Sequence, residues 1–261
     1  MSADRIVLCM RWGPLFPPDY VNVMYSACRN AISGNFRFVC LTDEADGFDN
    51  GIEAFPIPDI GLSPEDWFTP GVWPKLALYV QDLHGLKGRC LFIDLDMIVV
   101  GRLDEMFEQS EKFVTINAGP EWRREGTGGD AVGTGVIGFD IGMETQILEA
   151  FQAAPGKAMR EFANEQDFVA THASNIGFWP KEWVISFKGR LRQPIGVDLF
   201  LDPKVPPEGT KVVAFHGKPR PIDLVHPNAG FWDRFPHMGH GQVSWVRDYW
   251  VNNGGRIPPF E

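Results

Sequence analysis

The sequence predicts an α/β protein with a mostly parallel central sheet and helices on its faces. Three observations carry that expectation. RIVLCM (5–10), FRFVCLTD (36–43) and CLFIDLDMIVVG (90–101) are apolar runs of strand length. Two segments between them repeat their apolar residues at helical spacing. Their order along the chain, β-α-β-β-α-β, is the alternation that lays down parallel strands with crossover connections.

The elements follow in order. RIVLCM is the first strand. PPDYVNVMYSACRNAI (17–32) sets Val21, Met24, Cys28 and Ile32 at helical spacing. FRFVCLTD is the second strand and EAFPIP (53–58) a shorter third. WPKLALYVQDLHG (73–85) has Pro74 at a first helical position, Leu76, Val80 and Leu83 on one face, and Gly85 as a stop. CLFIDLDMIVVG is the fourth strand, KFVTINA (112–118) the next, and GVIGFDIG (135–142) another. Residues 121–134 between these two are polar and glycine-rich, the composition of a loop that can fold over a ligand. Residues 143–172 read as one or two helices, WVISFK (183–188) and KVVAFHG (211–217) as late strands, and SWVRDYWV as a short final helix. Neither an internal repeat nor an interdomain linker is visible, so a single domain over 1–261 is expected.

Composition narrows the function classes. At 44% hydrophobic and 22% charged, the chain is an ordinary globular protein. A net charge of -10 argues against a general nucleic-acid-binding surface. No apolar run reaches the roughly 20 residues that span a bilayer, which leaves peripheral membrane contact as the membrane reading. Arg5 precedes only a short apolar run, and Cys9, Cys28, Cys40 and Cys90 show no CxxC spacing. Both features suggest a cytoplasmic protein with reduced core thiols.

Three stretches carry chemistry. In LFIDLDMIVV two carboxylates, Asp94 and Asp96, interrupt an apolar run. On a strand they would share a face, and burying both charges without compensation is costly. A divalent metal, a shared proton or exposure at a strand end would each resolve it. The bland alternative is a turn that carries Asp96 into water. In FHGKPRP, His216 closes a strand, Gly217 permits close backbone approach, and Lys218 and Arg220 supply positive charge. That combination suits a diphosphate with Mn²⁺ or Mg²⁺, and equally a surface turn. The third, Glu165-Gln166-Asp167, is a polar helix segment that on its own reads as a charged face.

Taken in order, IVLCMRWG, LFIDLDMIVV, GTGVIGFD, EQDFVA and FHGKPRP resemble the GT-A (Rossmann-like) nucleotide-sugar glycosyltransferases, particularly glycosyltransferase family 8. The resemblance spans about residues 5–221. It implies a metal-dependent transfer of a sugar from a nucleoside-diphosphate sugar, UDP being the commonest base, to a saccharide or lipid-linked saccharide, with retention at the anomeric carbon. Residues 1–101 would form the nucleotide half and 102–261 the donor-sugar and acceptor half. Asp94, Asp96 and His216 would hold Mn²⁺ (or Mg²⁺). Asp94, Arg11 and Asp43 would lie at the nucleotide, and Gly217 and Lys218, with Arg220 as the other candidate cation, at the diphosphate. Gln166 would lie by the anomeric carbon and Asp167 would bind the donor sugar. The chain departs from the family pattern at Glu165, where the family has Asp, at Gly133-Thr134-Gly135, which lacks its Asn, and in a histidine motif one residue shorter.

Two other readings use the same residues. A haloacid-dehalogenase-type phosphatase would employ Asp94 as nucleophile and Asp96 as acid/base, but it leaves FHGKPRP unexplained. A non-catalytic sugar- or nucleotide-binding protein on the same fold is the third. Finally, Lys188, Arg190 and Arg192 alternate in WVISFKGRLRQ. If the strand runs on through them they share a face, suited to an anionic acceptor.

Overall fold

In the computed structural model the described residues are 5–63, 65–109, 113–119, 122, 129–194, 196–197, 200–226 and 241–257. The chain opens with β1 (Arg5–Arg11), α1 (Pro18–Ala31), β2 (Arg37–Thr42) and β3 (Ile52–Phe55). These are followed by β4 (Arg89–Ile93), β5 (Met97–Val99), a one-turn α2 (Asp104–Phe107), β6 (Phe113–Asn117) and β7 (Val132–Asp140). Three helices come next, α3 (Thr145–Ala153), α4 (Pro155–Glu161) and α5 (Glu165–His172). The strands β8 (Ile176–Phe178), β9 (Val184–Ser186) and β10 (Val212–Ala214) and the helix α6 (Ser244–Asn252) complete it.

Among the described residues, seven strands make one sheet in the order β3-β2-β1-β4-β7-β6-β8, and β5-β10-β9 make a second, smaller sheet. The left half of the large sheet, β3 through β4, is parallel. β7 runs antiparallel to both its neighbours, and β8 is parallel to β6. The mostly parallel sheet expected from the alternation is present; the second sheet is an addition.

Side-chain alternation in β1 and β2 explains why these strands are apolar throughout. Successive residues point to opposite faces, and both faces are covered. Val7, Cys9, Phe38 and Cys40 join a core with Val21, Met24 and Cys28 of α1. Ile6, Leu8, Met10, Val39 and Leu41 join a second core with Trp73, Leu76 and Phe151. α1 matches its predicted bounds closely, with Pro18 at its first position, where a missing N–H costs nothing. All four cysteines are free and buried. No helix among the described residues is long and apolar enough to cross a membrane.

Five expectations change. The helix predicted from Pro74 is a 3₁₀ helix, Trp73–Tyr79, and all seven of its residues are buried. A segment buried all round has no polar face to set a period, so the one-face reading of Leu76, Val80 and Leu83 does not hold. The single strand over 90–101 is two strands in two sheets, parted at Asp94-Leu95-Asp96. The strand expected from 135 begins at Val132, so Gly133 and Thr134 belong to a strand and not to the loop. The rest of the predicted 121–134 loop, apart from Trp122 and 129–131, lies outside the described residues. Residues 143–172 form three helices, because Pro155 starts a new one after Ala153.

The fifth change concerns the basic run. β9 stops at Ser186, and Phe187–Leu191 wind into a π-helical turn. The Ser186 hydroxyl accepts the Gly189 amide (3.0 Å), and the Arg192 amide donates to the Phe187 carbonyl five residues back (3.0 Å). Lys188, Arg190 and Arg192 therefore do not share a strand face.

The β5–β10 pair of the small sheet closes tightly at Gly101, whose amide donates to the Lys211 carbonyl (3.2 Å). A Cβ at this position would run into the Thr210 carbonyl oxygen, and backbone cannot swing aside as a side chain can. Gly101→Ala is accordingly expected to lower unfolding stability by about 2 kcal/mol, measured as a reduced urea midpoint with an unchanged slope.

Candidate functional site

The aspartate pair occupies a turn between the two sheets, in which Leu95 is buried and both aspartates are half-buried. β4, the central strand of the large sheet, carries Asp94 at its carboxyl end, where the Asp94 amide donates to the Gly135 carbonyl of β7 (2.9 Å). The Met97 amide donates back to the Asp94 carbonyl (3.1 Å) and closes the turn, and β5 starts there. Leu95 faces the core at 4% exposure, while Asp94 and Asp96 on either side of it line a cleft of about 690 Å³. Gln166 and Asp167 at the start of α5, and His216 and Gly217 just after β10, line the same cleft. Six of the residues singled out in the sequence thus come together from three separate stretches.

The charge at the centre of this cleft belongs to a residue that the sequence patterns did not mark. Lys75, on the buried 3₁₀ helix, is 4% exposed. Its Nζ donates to Asp94 Oδ2 (2.9 Å) and the Thr134 carbonyl (2.9 Å) and lies 3.1 Å from Glu165 Oε1. Thr134 completes the network by donating its hydroxyl to Glu165 Oε1 (2.6 Å) and its amide to Gln166 Oε1 (3.2 Å). Burial opposes the Lys75 charge, but Asp94 and Glu165 outweigh burial and raise its pKa. Glu165, the family's Asp in the resembled motif, is therefore a buried ion-pair partner, and its longer side chain reaches the ammonium. Its second oxygen, Oε2, is buried and has no hydrogen-bond partner among the described residues. The one local signal for Lys75 was its place as the lone charge in WPKLALY.

The two aspartates differ. Asp94 has a cation at its side, yet burial still raises its pKa, with Lys75 opposing and Glu165 adding to the rise. Asp96 is pushed up to about 7, first by burial and then by the Asp94 charge. Among the described residues, no three His, Cys, Asp or Glu side chains close on a common point as a ready metal cage. Two neighbouring carboxylates on a cleft wall nevertheless fit Mg²⁺ or Mn²⁺, which take few protein oxygens and complete their shell with phosphate and water. Burial and the neighbouring Asp94 charge both disfavour the Asp96 anion, a cost that a bound cation would relieve.

His216 lies at the edge of the cleft. Its Nε2 is 2.9 Å from Ser186 Oγ, its carbonyl accepts from Lys188 Nζ, and its ring centre is 5.8 Å from that of Trp122. Desolvation and the Lys188 and Arg192 charges hold its pKa below the usual value, so the ring is neutral at pH 7. Four other predicted residues are not among the lining residues. The Arg11 guanidinium is spent on the carbonyls of Phe16 (2.8 Å) and Glu44 (2.7 Å), tying down the segments after β1 and β2. Asp43 accepts the Gly13 amide (2.9 Å). Arg220 caps the turn at Pro221 through its own amide and Asp223 (2.8 Å), with its guanidinium over Phe16. Lys218 is exposed beside Gly217.

Solved glycosyltransferases share this architecture. The galactosyltransferase LgtC, in complex with donor and acceptor sugar analogs, is similar with a TM-score of 0.57 at 11% identity over 97% of each chain. The apo-form glycosyltransferase GlyE of Streptococcus pneumoniae TIGR4 gives 0.61 at 14% identity, over 98% of this chain and 61% of GlyE. The bifunctional glycosyltransferase WbbM gives 0.53 at 11% identity, over 96% of this chain and 52% of WbbM. No protein-family model matches the chain, and no curated protein matches it. At such identities the likeness is one of fold. The chain has the GT-A fold, without family 8 being singled out.

Two outcomes follow for the isolated protein. Lys75→Met would leave Glu165 and Asp94 without their cation and is expected to lower stability by about 3 kcal/mol, read from urea unfolding. The second concerns pH in the presence of a chelator. Between about 4 and about 7, folded Asp96 keeps a proton that the unfolded chain has already released. The folded state then binds more protons, so stability falls as pH rises through that window. Asp96→Asn should flatten this fall, and parallel pH profiles for the two proteins would refute the assignment.

Proposed function

We propose that the chain is a glycosyltransferase that moves a sugar from a UDP-sugar to a saccharide or lipid-linked saccharide acceptor, with retention and with Mn²⁺ or Mg²⁺. The observation that carries this reading is the meeting of Asp94, Asp96, Gln166, Asp167, His216 and Gly217 in one cleft of a GT-A fold.

Each residue has a task in that reaction. Asp94 and Asp96 would hold the divalent cation, and neutral His216, which lines the same cleft but does not close on a common point with them in this structure, would move toward them to become its third ligand. Asp94 gives Oδ2 to Lys75, so Oδ1 is the oxygen it offers. The cation supplies Lewis-acid stabilisation of the negative charge that grows on the leaving diphosphate. Gly217 lets backbone approach the diphosphate without a side chain in between. Lys218, with Arg220 behind it, adds positive charge on the same side. Arg11 and Asp43 shape the ends of β1 and β2, where the nucleotide sits in such sheets. Gln166, its amide oxygen fixed by the Thr134 N–H, stands by the anomeric carbon. Asp167 accepts from sugar hydroxyls. Trp122, beside His216, marks the side on which the acceptor is brought in and water kept out.

Thermal denaturation tests the reading directly, because a ligand that binds only the folded state raises its midpoint. UDP with Mn²⁺ should raise the midpoint more than either alone. Asp96→Asn should remove the metal-dependent part and slow sugar transfer by about a hundredfold or more, while the protein stays folded. Near wild-type transfer by folded Asp96→Asn would sink the mechanism.

A further inference from the structure

Immediately before the buried 3₁₀ helix the backbone turns through two residues with positive φ. Gly71 has φ +119° and Val72 has φ 60° with ψ 34°. The glycine is explained by space, since a Cβ there would press on Trp73 and on the Asn164 Cα. The valine is not. A β-branched residue in the left-handed region is a genuine outlier, and strain of this kind gathers at functional sites.

The turn itself has structural work. The Gly71 carbonyl accepts the Glu165 amide (2.8 Å), and the Val72 carbonyl accepts the Lys75 amide (3.1 Å), so this backbone shape sets Lys75 beside Glu165. Glycine at 72 would serve that shape with less strain. The isopropyl group gains little in return from the fold, because Val72 is 45% exposed. That exposed surface lines the cleft, at the end formed by Asn164, Gln166 and Asp167.

The geometry points to Val72 as a specificity residue for the transferred sugar. Its isopropyl group packs against the C–H face of the donor hexose, on the side opposite to hydroxyls held by polar groups. The inference rests on the donor reading above. It adds that the chain tolerates a strained backbone to keep an apolar wall at the sugar.

Val72→Gly and Val72→Ala test it, with isothermal titration of UDP and of UDP-glucose, UDP-galactose and UDP-N-acetylglucosamine, all with Mn²⁺. In both variants the best-bound UDP-hexose should weaken about fourfold, the size expected for losing about one CH₂ of burial. UDP, which has no sugar, should bind as it does to the wild type. The thermal midpoint should rise in Val72→Gly, which relieves the strain, and not in Val72→Ala, which keeps it. Equal weakening of UDP and UDP-hexose, unchanged affinity for both, or a lower midpoint in Val72→Gly would each overturn the proposal. Wild-type protein that binds neither UDP nor any of the three UDP-hexoses would overturn the donor reading, and this inference with it.

Discussion

One buried ammonium ties together the elements that build the cleft. Lys75 arrives on a helix with no exposed face, Asp94 at the end of β4, Thr134 on β7 and Glu165 at the start of α5. Their partners lie far apart in sequence, so the network forms only when the sheet and the helices over it are docked. A buried ion pair of this kind is weak evidence for net stability, since desolvating the charges offsets much of their attraction. Its contribution is positional. It fixes one oxygen of Asp94, and through Thr134 it fixes the amide of Gln166.

The same network separates the two aspartates that the sequence shows as a symmetrical pair. Asp94 has an internal cation and is committed on one side. Asp96, the residue after buried Leu95, is held up by burial and the Asp94 charge, which the Lys75 and Arg220 charges only partly oppose. A cation shared by both would therefore find one carboxylate already oriented and a second that gains most from its arrival. Pre-orientation of this sort is how a site binds a metal through few protein oxygens without a rigid cage.

What could be read in the sequence follows from which residues bury a regular stripe. α1 does so, while β1 and β2, covered on both faces, show instead as short unbroken apolar runs of strand length. The Asp94-Leu95-Asp96 break is hidden because buried apolar residues flank it on both sides, although they belong to different sheets. Trp73–Tyr79 misleads for a related reason, since a segment covered on every side carries no period. The π-helical turn after β9 depends on one serine hydroxyl, and the new helix at Pro155 on one ring. Lys75 leaves almost no local trace, because its partners at 94, 134 and 165 are set by long-range packing. The cleft residues Asp94, Asp96, Gln166, Asp167, His216 and Gly217 were reached through motif order, which records spatial neighbourhood that periodicity cannot.

The small sheet has a consequence for how the molecule is assembled. β5, directly after the aspartate turn, pairs with β10, so Met97 meets Ala214 and Val99 meets Val212. Until β10 has been synthesised, the segment following Asp96 has no strand to lie against. Closing so long a loop costs entropy that is recovered only when the ladder forms. The carboxylate turn is thus anchored early by β4 and late by β10. A growing chain would carry β1, α1, β2 and β3 nearly folded while the cleft wall at Asp96 waits for residues more than a hundred positions downstream.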